Sequence, residues 1–111
     1  MSEGQRDSLT AKALKIAELV GYQAGSVVSR VLLKQKGGNV TLFAFDAGQE
    51  LSEHTAPFDA LVSVLEGEVE VTISGTPLRL GTGEMVIMPA NQPHALKAIT
   101  PFKMVLTMIR S

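Results

Sequence analysis

The feature that most constrains the fold is the spacing of turn residues after Gly25. From there on, short apolar or alternating runs are separated at regular intervals by turns rich in Gly, Pro and Asn. This rhythm predicts about nine short strands with no helix between them. Parallel strands need long crossover connections, usually helical, so the predicted sheet is antiparallel. So many short strands in 111 residues must fold as a sandwich, jelly roll or barrel to bury their inner faces.

The strands are marked most clearly by apolar runs and by strict alternation. In 68–73, Val69, Val71 and Ile73 alternate with polar residues, which predicts a half-buried strand. The other well-marked segments are 27–34, 40–46, 59–65, 94–98 and 102–109.

Before the strands, apolar residues recur at helical spacing and predict one short amphipathic helix that ends at Gly21. These residues are Leu9, Ala13, Ile16, Ala17 and Val20. We therefore divide the chain into an N-terminal tail and helix, 1–26, and one β-domain, 27–111. The apolar stripe of the helix needs a cover, either one face of the barrel or a second subunit.

Charge and composition exclude several classes of function. Ten basic and eleven acidic residues give a net charge of -1, without the basic cluster that nucleic acid or an anionic membrane requires. The absence of Cys excludes disulfides and thiolate metal sites. No apolar stretch has the length of a membrane span or the form of a signal peptide. We expect a cytoplasmic protein with no nucleic-acid or membrane partner.

Two segments then carry a recognisable pattern. In the first, Gly48 and five further residues precede His54, and Ala56 follows two positions after His54. Ala60 comes next, and Gly67 lies seven residues after it. This resembles the first cupin motif, in which a glycine and five residues precede His-x-His, a Glu and a second glycine.

The second segment begins at Gly83 and continues through Pro89 and Asn91 to His94. It resembles the second cupin motif, Gly, five residues, Pro-x-Gly, two residues and His. Asn91 stands where the family often has glycine, and Asn tolerates the same positive φ. The resemblance covers about residues 27 to 109. It implies an all-β fold, an antiparallel jelly-roll barrel of the cupin type with a short N-terminal helix.

The resemblance also implies where a pocket lies and which ligands are missing from it. Cupins hold a divalent metal through three His and one Glu, but Ala56 and Ala60 occupy the places of one His and the Glu. His54 and His94 remain, and they are the only histidines in the chain. The pocket is expected to be lined by His54, Ala56, Ala60, Val62, His94 and Leu96.

Two alanines in place of a His and a Glu enlarge an apolar hollow. We therefore expect a protein that binds a small organic molecule, with no certain cofactor. The alternative is a metal-dependent enzyme of the isomerase, dioxygenase or cyclase kind, in which His54 and His94 are partial ligands of a weakly bound divalent ion. A structural protein with a filled barrel is a third reading. Whether the chain is an enzyme stays open.

Other ligand candidates are less favoured by the pattern. Glu53 and Asp59 each lie one residue from an inward position, so strand alternation turns them away unless a bulge intervenes. Methionines near the C-terminus offer soft ligands for copper, but Met104 and Met108 share one face of a strand with Phe102, as core residues do.

The first strand predicts a homodimer. It is apolar on both faces, so its second face needs a cover, and a twofold partner would supply one. The residues concerned are Val27, Val28, Val31, Leu32 and Leu33. If the two histidines share a metal-free pocket, at least one of their pKa values should lie below 6.5.

Overall fold

A computed structural model describes residues 9–110. Nine strands occur in this part of the chain, and every pairing between them is antiparallel. Their bounds are β1 Val27–Gln35, β2 Gly38–Phe45, β3 Glu50–His54, β4 Asp59–Glu66, β5 Val69–Ile73, β6 Thr76–Leu80, β7 Met85–Met88, β8 His94–Ala98 and β9 Phe102–Ile109. The predicted all-β antiparallel fold is confirmed.

The strands form two sheets that enclose one core. The five-stranded sheet has the order β1-β2-β9-β4-β7, and the four-stranded sheet has the order β3-β8-β5-β6. Alternation decides which residues face inward: in β5, Val69 and Val71 are buried while Glu70 between them is exposed. The rings of Phe45 and Phe102, both fully buried, stack with their centroids 4.7 Å apart. The core therefore consists of the inner faces of both sheets, as in a jelly roll.

The predicted N-terminal helix is wrong over most of its length. Its place is taken by a short 3-10 helix, Ile16–Leu19, flanked by irregular backbone. Ala11 has φ 60, a left-handed conformation that an α-helix cannot contain. The helical spacing of apolar residues indicated correctly that the segment has a buried side, but it did not determine the backbone.

Side chains of the five-stranded sheet bind two backbone carbonyl groups near the end of this segment. Lys103 Nζ donates to the carbonyl oxygen of Ala17 at 2.6 Å, and Arg30 Nη1 donates to that of Leu19 at 3.1 Å. These bonds tie the end of the segment to the sheet, and the left-handed φ of Ala11 interrupts an α-helix before it.

The N-terminal segment, residues 9–22, lies on the outer face of the five-stranded sheet of its own chain. Val20 is buried there in a second apolar cluster with Leu42 and Ala44. The hydroxyl of Tyr22 donates to Glu66 Oε2 at 2.6 Å, which fastens the end of the segment. The barrel face therefore covers Val20, whereas Ala13 and Ile16 of the predicted stripe are exposed, and a second subunit as their cover stays a prediction.

In the part of the chain that the structure describes, no helix is long and apolar enough to cross a membrane.

Candidate functional site

The two histidines lie at adjacent strand ends of the four-stranded sheet. His54 is the last residue of β3, His94 is the first of β8, and the two are register partners. Their Nε2 atoms are 3.1 Å apart, and the rings meet edge to face with centroids 4.3 Å apart. His94 is buried, whereas His54 is exposed. The pair therefore has one side in the barrel and one side at its mouth.

A bulge in β3 sets the position of His54. The register between β3 and β8 shifts between Leu51 and His54. Both residues line the same cavity although they are three positions apart, which regular alternation would not allow. Glu53, in the bulge, instead lines a groove on the other side of the strand with Glu50 and Glu70.

Hydrogen bonds to backbone carbonyls determine which ring nitrogen carries hydrogen. His54 Nδ1 lies 2.7 Å from the carbonyl oxygen of Ser52, and His94 Nδ1 lies 3.2 Å from that of Gln92. A carbonyl oxygen only accepts, so both Nδ1 atoms are assigned as the donors. In two neutral rings, both Nε2 atoms then present lone pairs to each other. They repel unless a proton or another cation lies between them.

The electrostatic environment disfavours a charge on the inner ring. Burial lowers the pKa of His94 below its ordinary value of 6.5, and the nearby His54 acts in the same direction. The carbonyl of Gln92, which accepts from the ring, acts against them. The predicted downward shift of at least one histidine pKa agrees with this direction.

The loops of the two motifs hold each other in place. The backbone N–H of Asn91 donates to the carbonyl oxygen of Ala56 at 2.8 Å, and Asn91 has φ 65, the positive value expected at the glycine position. Gly67 has φ 85, and a Cβ there would collide with the backbone of Pro101 and with Phe102. A glycine is therefore required at Gly67 on two grounds.

Five of the six predicted pocket residues line one cavity, and the sixth does not. The cavity has a volume of about 40 Å³. Val62 is fully buried in the core instead. The lining residues are Leu51, His54, Ala56, Ala60, Met88, His94, Leu96, Met104, Leu106 and Met108.

Sequence reasoning missed half of this wall. The sequence pattern placed Met104 and Met108 on the core-facing side of one strand, and both do face the interior. The pattern did not connect these methionines with the histidines. The register explains the contact: Ala60 pairs with Met88 on β7 and with Met108 on β9. The position where cupins carry a Glu is thus flanked by two methionines.

The residues present do not fit the metal cage that the resemblance implies. Two of its four ligands are replaced by Ala56 and Ala60, and within residues 9–110 no group of three His, Cys, Asp or Glu side chains could hold an ion. Asp59 Oδ1 accepts from the backbone N–H of Ala90 at 2.9 Å and does not line the cavity. A hard divalent ion would find two nitrogen ligands and no carboxylate here.

Comparisons with known proteins agree with this architecture. A conserved protein of unknown function from Streptococcus pyogenes, SPY1581, is 36% identical, with a TM-score of 0.87 over 91% of this chain and 89% of its own. A cupin 2 conserved barrel domain protein from Leptotrichia buccalis is 39% identical, with a TM-score of 0.85 over 87% of this chain and 47% of its own, so the chain spans about half of that protein.

A cupin superfamily protein from Desulfitobacterium hafniense is 25% identical, with a TM-score of 0.87 over 92% of this chain and 94% of its own. Among curated proteins, no match was found. The family description that matches the sequence is the cupin domain, over residues 41–110. With its two sheets, its paired motif histidines and this match, the chain belongs to the cupin family.

Proposed function

We propose that this cupin binds a small organic molecule in the cavity between its two sheets. The observation that carries the proposal is the combination of an apolar wall with one polar element, the paired Nε2 atoms of His54 and His94. Ligand sites are typically apolar hollows in which a few polar groups fix orientation. Among the described residues that line this cavity, the two histidines are the only ones with titratable side chains.

The size of the cavity limits the ligand. A volume of about 40 Å³ has room for about three water molecules, each of which needs about 10–15 Å³. The molecule therefore has few non-hydrogen atoms, or it enters as the methionine side chains change rotamer. Such rotamer changes are easy for an unbranched thioether side chain, and the cavity wall contains three of them, those of Met88, Met104 and Met108.

The ligand should carry a single polar group on a compact apolar body. One end of the cavity offers the two imidazole edges, and the walls offer methyl, methylene and thioether groups. Because both Nε2 atoms accept, this polar group should donate a hydrogen, as the hydroxyl of a small alcohol or hydroxy acid does. A metal-dependent enzyme is the less favoured alternative, because only His54 and His94 remain of the cupin ligand set.

A thermal-shift screen on metal-free protein tests the proposal. The panel contains small alcohols, hydroxy acids, keto acids, aromatic acids and sugars, and a ligand at 100 times its Kd stabilises the fold by about 2.7 kcal/mol. At least one compound should raise the Tm of the wild type and of Lys97→Ala, an exposed change on β8, but not that of a His54→Ala, His94→Ala double variant. If no compound does so, the reading as a structural protein with a filled barrel is favoured.

We also propose that the protein is a homodimer through the edge strand β1, which pairs only with β2 among the described strands. Val31 and Leu33 on this strand are 44% and 50% exposed. Leu33 joins two apolar grooves, one of about 420 Å³ beside the N-terminal segment and one of about 210 Å³ beside Ile109. A second copy would cover both the open edge and these grooves. Light scattering should then give twice the chain mass of 11.8 kDa.

A further inference from the structure

Two rows of side chains face each other across the cavity. On the four-stranded sheet, cross-strand pairing places His54 beside His94. On the five-stranded sheet, Ala60 lies between its partners Met88 and Met108. All five residues line the same enclosed space. Imidazole nitrogens on one wall and methionine side chains on the other thus line one cavity, at the position where cupins have a carboxylate.

We propose that this cavity is a cuprous site, in which His54 Nε2, His94 Nε2 and a thioether of Met88 or Met108 hold one Cu(I) ion. Thioethers select Cu(I), whereas divalent Mg, Ca and Mn require oxygen ligands, and imidazole is compatible with copper. The replacement of a Glu by Ala60 removes the hard ligand and leaves the two methionines as its neighbours. The mismatch with the cupin cage therefore defines a different, softer donor set.

The histidine geometry fits a shared ion. Two imidazole nitrogens that bind one three-coordinate ion at angles of about 120°, each at about 2.0–2.1 Å, are about 3.5–3.6 Å apart. The Nε2 atoms are 3.1 Å apart, so a small movement of one ring suffices. Their Nδ1 atoms face the carbonyls of Ser52 and Gln92, and metal-ligating histidines commonly donate their second N–H to such a group.

The surroundings favour a soft monovalent ion over a more highly charged one. Met88 and His94 are buried, and the remaining wall consists of apolar side chains such as Leu51, Leu96 and Leu106. An uncompensated divalent charge would be costly there. A cavity of about 40 Å³ accommodates a single ion without displacing the wall. The inference does not rest on the proposed organic ligand: the ion and the ligand would compete for the same two Nε2 atoms, so each is tested in the absence of the other.

Competition with a chromophoric cuprous chelator tests the inference, with metal-free protein kept under ascorbate and nitrogen. We expect one Cu(I) per chain, bound more tightly than Zn(II), and no binding by the His54→Ala, His94→Ala variant. A Met88→Leu, Met108→Leu variant should lose at least about tenfold in Cu(I) affinity, since even outer-shell changes at metal sites cost that much. The matched control is Met85→Leu, an exposed position on β7 that does not line the cavity.

Three results would overturn the inference: Cu(I) affinity unchanged in the double methionine variant, Zn(II) bound as tightly as Cu(I), or no stoichiometric Cu(I) binding by the wild type. Met→Leu changes conserve volume, so the variants should fold. If the double variant does not, X-ray absorption of the Cu(I)-loaded wild type decides instead: a sulfur scatterer supports the site, and nitrogen or oxygen scatterers alone refute it. A thermal shift with an organic acid in metal-free protein tests the proposed function separately.

Discussion

His54 and His94 are cross-strand partners whose Nε2 atoms lie 3.1 Å apart, while both Nδ1 atoms face backbone carbonyls. This arrangement fixes the polarity of the cavity mouth. Without a cation between them, both Nε2 atoms are hydrogen-bond acceptors, which face each other and any ligand that enters the cavity. We therefore expect the response of the protein to pH, to metals and to ligands to depend on this pair.

Stability should fall as the pH drops below about 6.5, the pKa of a His in the unfolded chain. Burial and His54 lower the folded-state pKa of His94. Between that lowered pKa and about 6.5, the unfolded chain binds more protons than the folded one, so the free energy of unfolding decreases with falling pH. Urea denaturation from pH 7.5 to 5 measures this slope, and His94→Gln should reduce it.

NMR titration of the two imidazoles supplies the direct check. His94 should titrate at a lower pH than an unperturbed histidine. Two independent curves, both at the ordinary pKa, would contradict a coupled pair.

Gly67→Ala should destabilise the fold strongly. Its φ of 85 is unfavourable for alanine, and the new Cβ would collide with Pro101 and Phe102. Left-handed strain alone costs about 1–3 kcal/mol, and the collision adds to it. Gly37→Ala is the control, because a Cβ there meets nothing within 4 Å. Equal midpoints for the two variants in urea denaturation would refute the argument.

Val20→Ala should loosen the N-terminal segment from the sheet. Val20 is buried against Leu42 and Ala44, and the loss of its contacts should cost about 1–3 kcal/mol. Ile16→Ala, in the same segment but 38% exposed, should cost less. Hydrogen exchange at the amides of residues 16–22 would report the loosening. Unchanged exchange rates in Val20→Ala would show that this contact does not hold the segment.

Leu33→Glu should convert the proposed dimer to a monomer. A charge on the edge strand would be buried without a partner in the interface. Leu78→Glu, at an exposed apolar position on β6 of the other sheet, is the control and should leave the mass unchanged. Light scattering coupled to size exclusion distinguishes the outcomes. A wild-type mass of one chain would remove the dimer proposal.

Much of the fold could be predicted because period-two patterns and turn residues act locally. The alternation of Val69 and Val71 with Glu70, and the positive φ of Asn91, follow from steric rules that the sequence displays. The predicted N-terminal helix is wrong because Ala11 has a left-handed φ, and Lys103 and Arg30, distant in sequence, hold the segment against the sheet. Spacing within a segment carries no information about such partners.

The motif positions of the candidate site could be predicted, but the residues that surround them could not. The motifs identified His54, Ala56, Ala60 and His94 on the cavity wall. The bulge that brings Leu51 to the same wall leaves no clear sequence signal, and the methionines were assigned to the core without the pairing that sets them beside Ala60. Val62 was predicted to line the pocket, but it is fully buried in the core and does not line the cavity. The cytoplasmic location stays a prediction.

Filling the cavity tests the central claim most directly. Ala60→Val adds two methyl groups to the wall, whereas Ala98→Val adds the same volume at a buried position on β8 outside it. Both changes overpack the core and should cost about 1–3 kcal/mol in stability. Calorimetric titration with the most stabilising compound of the screen should show at least about tenfold weaker binding, about 1.4 kcal/mol, for Ala60→Val and unchanged binding for Ala98→Val. Equal affinity of Ala60→Val and the wild type would contradict a ligand site in this cavity.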